Sequence, residues 1–267
     1  MIGRWVRDHL VLMLGLAVLA YTFVPIAVVV LMSFNAPASR NVYQFDGFTL
    51  DNWLNPCAPD GMCSAVGRSI EIGLLSTLVA TLLGTLAAFA LVRHDFVGRS
   101  SSNLLIFLPM ASPEIVMGSS LLALFVASGL GGQLGFWTIF VAHVMFCLSF
   151  VIVTVRSRLA GMDDNLEQAA MDLYATPQQT FWRVTFPLVF PGILGAALLS
   201  FSLSFDDFII TNLNAGTTTT FPMFVWGAAQ RGVPMQVNVV GTVMFVISVL
   251  IVVTGEVNSR RRQRALA

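Results

Sequence analysis

The chain has 267 residues, 56% of them hydrophobic and 10% charged, with a formal net charge of zero. A soluble domain carries about 25% charged residues, and at a mean hydropathy of +0.81 this chain lacks the polar side chains to cover its own surface in water. Zero net charge points away from nucleic acid as a partner, and the absence of lysine rules out a phosphate-binding loop of the G-x-x-x-x-G-K-[ST] type.

A helix needs about 20 mostly apolar residues to cross the hydrocarbon core of a bilayer. About six stretches meet that length: Leu10 to Phe34, Ile70 to Val92, Leu104 to Ala127, Phe136 to Val155, Val189 to Leu213 and Val237 to Gly255. The expected class is therefore all-α, a polytopic membrane protein whose residues 1–267 form a single transmembrane domain. The first stretch follows Arg4 and Arg7 and precedes an Ala36-Pro37-Ala38 triplet. It is longer than the roughly 7–15 apolar residues of a signal peptide, so it is read as a retained span.

The arginines set the orientation. With the N-terminus inside, Arg4, Arg7, Arg93, Arg99, Arg156, Arg158, Arg183, Arg260, Arg261, Arg262 and Arg264 fall on inner segments. Only Arg40, Arg68 and Arg231 fall on outer ones. That bias places both termini in the cytoplasm. The tail 256–267 is basic and is read as an anchor on the anionic inner leaflet.

The loop 35–67 is then extracytoplasmic. It holds Asp46, Asp51, Asp60 and Trp53, together with Cys57 and Cys63. Oxidation is permitted on that side of the membrane, so a Cys57–Cys63 disulfide is expected, stiffening a surface that meets a soluble partner.

The loop 156–188 is cytoplasmic and reads as two short helices. Asp164 is suited to cap the first, with Glu167 three residues on as its capping-box partner. Leu166, Ala169, Ala170 and Leu173 then share one face. Thr176 caps the second, with Pro177 in its first position and Pro187 as its end. A helix lying on lipid would carry a basic polar face. This one carries Asp163, Asp164, Glu167 and Asp172, which favours docking into a groove of a partner protein.

Acids within apolar stretches come next. Asp206 and Asp207 lie deep in the fifth stretch, where an acid costs on the order of 3 kcal/mol and marks function by default. Adjacent side chains on a helix point about 100° apart, so at most one of them faces straight down a central path. Glu114 follows Pro109 and Pro113, which break a helix, and broken helices at membrane depth line cavities. Negative charge along such a path suits a cation, and Phe205 and Trp226 are candidate cation–π partners. His143 reads as a helix-contact residue rather than a proton relay, and Glu71 as interfacial. A membrane enzyme would need a convergent nucleophile, base or metal site, and the separation of His9, His94 and His143 argues against one.

The run Glu167-Gln168-Ala169-Ala170-x-Asp172-Leu173-x-Ala175, followed by Phe181, Val184 and Pro187, resembles the EAA loop of ABC importer permeases. Tyr174 stands where that loop carries a turn-making glycine, and Gln168 is a second departure. Leu199 to Phe208 and Leu108 to Gly118 resemble the fifth and third spans of spermidine/putrescine-type permeases. The resemblance implies the transmembrane domain of a type I (MetI-like) ABC importer, with residues 167–175 as the helix that couples to the ATPase. It implies a non-catalytic permease subunit in a heteromeric complex, forming half of the pathway for a small cationic solute such as a polyamine. The implied partners are an ABC ATPase dimer that binds ATP and Mg, a second permease of different sequence, and an extracytoplasmic solute-binding protein. The implied location is the inner membrane of a prokaryote. Ferric iron and thiamine remain alternative solutes, and a stand-alone transporter or channel the alternative class. No metal or directly bound cofactor is expected.

Overall fold

The structure is a computed structural model that describes residues 2–37, 44–163 and 165–266. It divides into two compact units, residues 1–63 with 225–267, and residues 64–224.

In the first unit α1 (Ile2–Met32) packs beside the last long helix, whose range is Gln236–Leu266. Phe23 and Phe245 meet edge to face with centroids 6.3 Å apart, and Val29 lies against Gly241. Beyond α1 the chain folds back on itself. Phe34 stacks on Phe48 and on Trp53, at 5.6 and 5.4 Å. The buried Asn35 donates to the carbonyl of Gln44 (2.8 Å) and accepts from the amide of Asp46 (2.9 Å). Asn52, on the short α2 (Asp51–Leu54), donates to the carbonyls of Ser33 and Asn35. Loop backbone buried in this way needs such partners. Cys57 and Cys63 are bonded, with Cα atoms 5.4 Å apart.

The second unit holds most of α3 (Met62–Arg93), followed by α4 (Arg99–Ala111), α5 (Glu114–Ala127) and a 3₁₀ turn at Gly131–Gln133. Then come α6 (Phe136–Ala160), α7 (Asn165–Asp172), α8 (Pro177–Thr180), a π-helical turn at Phe181–Thr185 and α9 (Phe186–Asp206). The unit ends with α10 (Ile209–Asn214) and the start of α11 (Phe221–Ala229); α12 is the Gln236–Leu266 helix already described.

The core is built around α6, which buries Ala142, Phe146, Cys147, Val151 and Val155 against Ala80, Ala88, Val189 and Ala196 of α3 and α9. Gly84 permits this contact. A Cβ there would stand 2.6 Å from Cγ1 of Val151, so only glycine lets α3 approach α6 this closely.

Among the described residues five helices are long and apolar enough to cross a membrane, and the number is six if α4 and α5, which meet at a bend of 109°, are counted as one broken span. The bend sits at Ser112–Pro113, where both residues are extended (ψ 137° and 134°). The residue before a proline disfavours the helical region and the proline has no N–H to donate. Pro109 stays within α4.

The fifth apolar stretch also differs from the uninterrupted span expected for it. The helical path enters through α8 and the π turn, so Pro187 lies in the first turn of α9 rather than ending a helix. That position tolerates proline because its amide needs no intrahelical acceptor. The path breaks at Asp207, which is extended (ψ 126°), before resuming as α10.

Candidate functional site

The break after α9 is held by Asp207. Its carboxylate accepts from the backbone N–H and the hydroxyl of Thr211 (both 2.8 Å) and from the N–H of Ile210 (3.4 Å). These amides open α10 and have no partner within it, so the side chain acts as a cap. Nε2 of His143, on α6, stands 2.8 Å from the Thr211 hydroxyl and 3.4 Å from Asp207 Oδ2. The Thr211 hydrogen is already given to Asp207, so Nε2 carries the proton and donates. Nδ1 stands 2.6 Å from the Ser204 hydroxyl oxygen, which lies 3.0 Å from Ser76 Oγ on α3. A polar chain thus crosses α3, α9, α6 and α10 in the middle of an apolar core. His143 is 1% exposed and Asp207 7%, and each polar group in the chain finds a partner, as burial demands.

Asp206, one residue earlier, ends α9 and is exposed. Glu114 opens α5 and is also exposed. Each of these two spans thus presents an acid at its break, Glu114 at the start of α5 and Asp206 at the end of α9. The approach of α5 to α10 depends on Gly118, where a Cβ would meet Cδ1 of Leu213 at 2.9 Å and Cα of Ile210 at 3.2 Å. Asn214 secures it by donating to the carbonyls of Gly118 (3.2 Å) and Ile210 (2.9 Å). The carbonyl end of α9 adds partial negative charge at Asp206. Phe205 stacks on Phe201 (5.9 Å) and meets Phe221 at a tilt (6.1 Å). Trp226 belongs to the first unit and is exposed.

Sequence reasoning placed His143 as a packing residue and missed that it pairs with Asp207. The available signal was the ionisable groups stranded in two different apolar stretches. Such groups are stable inside a membrane protein when they meet.

The loop 156–188 forms the second candidate region. Its first helix, α7, starts at Asn165, whose amide is accepted by Asp163 Oδ1 at 3.0 Å. Asp164, the cap expected from sequence, lies outside the described residues. Glu167 Oε1 accepts from Arg93 at the end of α3 and from the hydroxyl of Thr185, each at 2.6 Å, and its expected capping-box partner lies outside the described residues with Asp164. Thr176 and Gln179 do form a reciprocal cap over α8, at 3.0 and 3.3 Å.

Between the two helices Tyr174 has φ 63°, the one positive-φ non-glycine among the described residues. The amide of Ala175 bonds to the Ala170 carbonyl (3.1 Å) and that of Tyr174 to Met171 (2.9 Å), the pattern of a helix end closed by a left-handed residue. The chain therefore keeps the glycine-type turn with a tyrosine in it, at a cost of about 1–2 kcal/mol. Tyr174 is 95% exposed and Leu173 81%. Gln168, Ala169 and Asp172 are also exposed, while Ala170 and Ala175 are half-buried.

A membrane domain of broken spans with an outward-pointing helical loop is the architecture of an importer permease, and the comparisons agree. Residues 80–259 match the family described as binding-protein-dependent transport system inner membrane component, and the chain belongs to that family. It is 34% identical over 265 residues to the spermidine/putrescine transport system permease protein PotC of Escherichia coli, covering 99% of this chain and 97% of the relative. It is 37% identical over 240 residues to the putrescine transport system permease protein PotI of the same organism, covering 88% and 84%. Among solved structures it resembles a bacterial ABC transporter involved in the import of the acidic polysaccharide alginate, with a TM-score of 0.62, 17% identity and 96% of each chain covered. It also resembles the MetNI methionine ABC transporter, with a TM-score of 0.54, 16% identity, and 78% of this chain and 99% of that one covered. The fold is the transmembrane domain of a type I ABC importer, and the protein is a multi-pass membrane permease subunit.

Proposed function

We propose that this chain forms half of the membrane pathway of an ATP-driven, binding-protein-dependent importer for a polyamine, and that Asp206 and Glu114 are the acids the solute meets. The observation that carries this reading is the division of labour between neighbouring carboxylates. Asp207 is buried with its oxygens committed to Thr211, Ile210 and His143. Asp206 and Glu114 are exposed at the broken ends of their spans. An ammonium group entering such a site finds fixed negative charge in a low-dielectric setting, where the attraction is far stronger than in water. Phe205 offers an aromatic face beside Asp206, and Trp226 is a further aromatic candidate. The printed names of the relatives, spermidine/putrescine and putrescine permeases, favour the same solute class.

The chain itself is non-catalytic in this reading. Both termini lie in the cytoplasm of a prokaryotic cell whose inner membrane the chain spans. Residues 156–188 face an ABC ATPase dimer that binds ATP and Mg, and Ala169, Ala170, Leu173 and Tyr174 present the docking edge. Residues 35–67, stiffened by Cys57–Cys63, face a solute-binding protein outside. A second permease of different sequence completes the pathway. Residues 256–267 rest on the inner leaflet.

The test is uptake of labelled spermidine and putrescine by proteoliposomes holding the assembled transporter. Asp206→Asn is expected to reduce uptake at least about tenfold while leaving insertion and assembly intact. Full uptake by both Asp206→Asn and Glu114→Gln would remove these acids from the pathway.

A further inference from the structure

Among the described carboxylates of the loop, Glu167 faces inward. Asp172 and Gln168 are exposed, and Asp163 serves the start of its own helix. Glu167 instead reaches back to the membrane domain, with its side chain only 20% exposed. A single oxygen of it receives Arg93 Nη2 and Thr185 Oγ1, both at 2.6 Å.

The two donors end different elements. Arg93 is the last residue of α3, where a cation also meets the negative end of the helix dipole. Thr185 is buried and is the last residue of the π turn that feeds α9. Phe89 of α3 and Phe181 of that turn reinforce the junction, 5.7 Å apart. Deeper in the core the same two spans are joined again by Ser76 and Ser204. So α3 and α9 are pinned at two levels, and the outer pin passes through α7. At its other end α9 terminates on Asp206. A π turn is an irregular point in a helix, often found at functional positions. Here it lies between α8 and α9, where a displaced loop would bend first.

We propose that Glu167 is a positioning residue for transport rather than an ATPase contact: with Arg93 and Thr185 it forms a joint that makes α3 and α9 move with α7. Docking is then left to the outward edge of the loop, and the joint converts displacement of that edge into displacement of the two spans. The inference rests on the importer reading given above.

The test uses the complete transporter in proteoliposomes, with ATPase retention, ATP hydrolysis and polyamine uptake measured on one preparation. Arg93→Met and Thr185→Val are expected to keep the ATPase bound and hydrolysing, while solute taken up per ATP falls about tenfold, in the ordinary range of coupling between sites. Arg93→Lys should recover most of the ratio, and the reversed pair Arg93→Glu with Glu167→Arg should recover more than either change alone. That rescue distinguishes a joint from general loss of folding. An unchanged uptake-to-hydrolysis ratio in both Arg93→Met and Thr185→Val overturns the proposal. So does loss of the ATPase from Glu167→Gln while Arg93→Met behaves normally, since Glu167 would then be a docking residue. A wild-type preparation with no ATPase and no ATP-driven uptake sinks the importer reading itself, and the joint with it.

Discussion

Replacing Asp206 and Asp207 singly by alanine should produce opposite phenotypes, although the two are adjacent. Asp207→Ala removes the acceptor for the Thr211 amide and hydroxyl, both at 2.8 Å, and for the Ile210 amide. Loss of a helix cap costs about 1 kcal/mol. Hydrogen bonds to a charged group are worth about 1.5–3 kcal/mol in soluble proteins, although side-chain bonds between membrane helices average nearer 0.6 kcal/mol. Summed with that discount, the change should destabilise the domain by about 2–4 kcal/mol. At roughly 2–4 °C per kcal/mol for a chain of this size, the melting temperature in detergent should fall on the order of 10 °C. Asp206→Ala removes an exposed acid from the carbonyl end of α9. Its stability effect should stay within about 0.5 kcal/mol, with a small gain from the helix dipole, while uptake is lost. Thermal unfolding followed by tryptophan fluorescence, paired with uptake, reads both. A normal melting temperature for Asp207→Ala, or full uptake by a stable Asp206→Ala, would refute the assignment of one acid to structure and the other to solute.

The network around His143 makes a related claim. In a double-mutant cycle, His143→Ala and Asp207→Ala should be non-additive by about 0.5–3 kcal/mol, since each leaves the other's partner stranded; additive values would break the pairing. Tyr174→Gly should relieve left-handed strain and raise stability by about 1 kcal/mol, yet weaken retention of the ATPase by deleting the most exposed aromatic of the loop. A melting temperature that falls contradicts the strain argument. Gly84→Ala should destabilise by about 1–3 kcal/mol, because its Cβ would collide with Val151. Gly15→Ala, with nothing within 4 Å, should not, and equal effects would show that α3 and α6 do not pack as described. Maleimide applied without reductant should label neither Cys57 nor Cys63, and labelling of both would contradict the disulfide.

Much of this architecture is legible in the residues alone. Runs such as Phe136–Val155 are apolar on all sides, a pattern that only a bilayer or a deep core accommodates. Thr176-Pro177-Gln178-Gln179 encodes its own cap, and the chain forms it. Pro113 announces a break, since a proline removes a donor wherever it falls. The break at Asp207 is harder to read, because what ends α9 is not a local breaker but an acid that prefers the amides of Ile210 and Thr211. Its partner His143 is 64 positions away, too far for any periodicity to connect them. The partners of Glu167 are hidden for a similar reason, since Arg93 and Thr185 lie far from it in sequence and tertiary packing alone brings them to its carboxylate. The π turn leaves no signal in the residues Phe181–Thr185.

The central claim is that this membrane domain is driven by a separate ATPase through the loop 156–188. It is tested most directly by purification from the native membrane in mild detergent, followed by mass spectrometry of the retained chains. An ABC ATPase should accompany the wild-type protein and be lost from Ala169→Arg, whose bulky charge would sit on the exposed face of α7. Repeated recovery of the chain alone, or with copies of itself and no ATPase, would contradict the account.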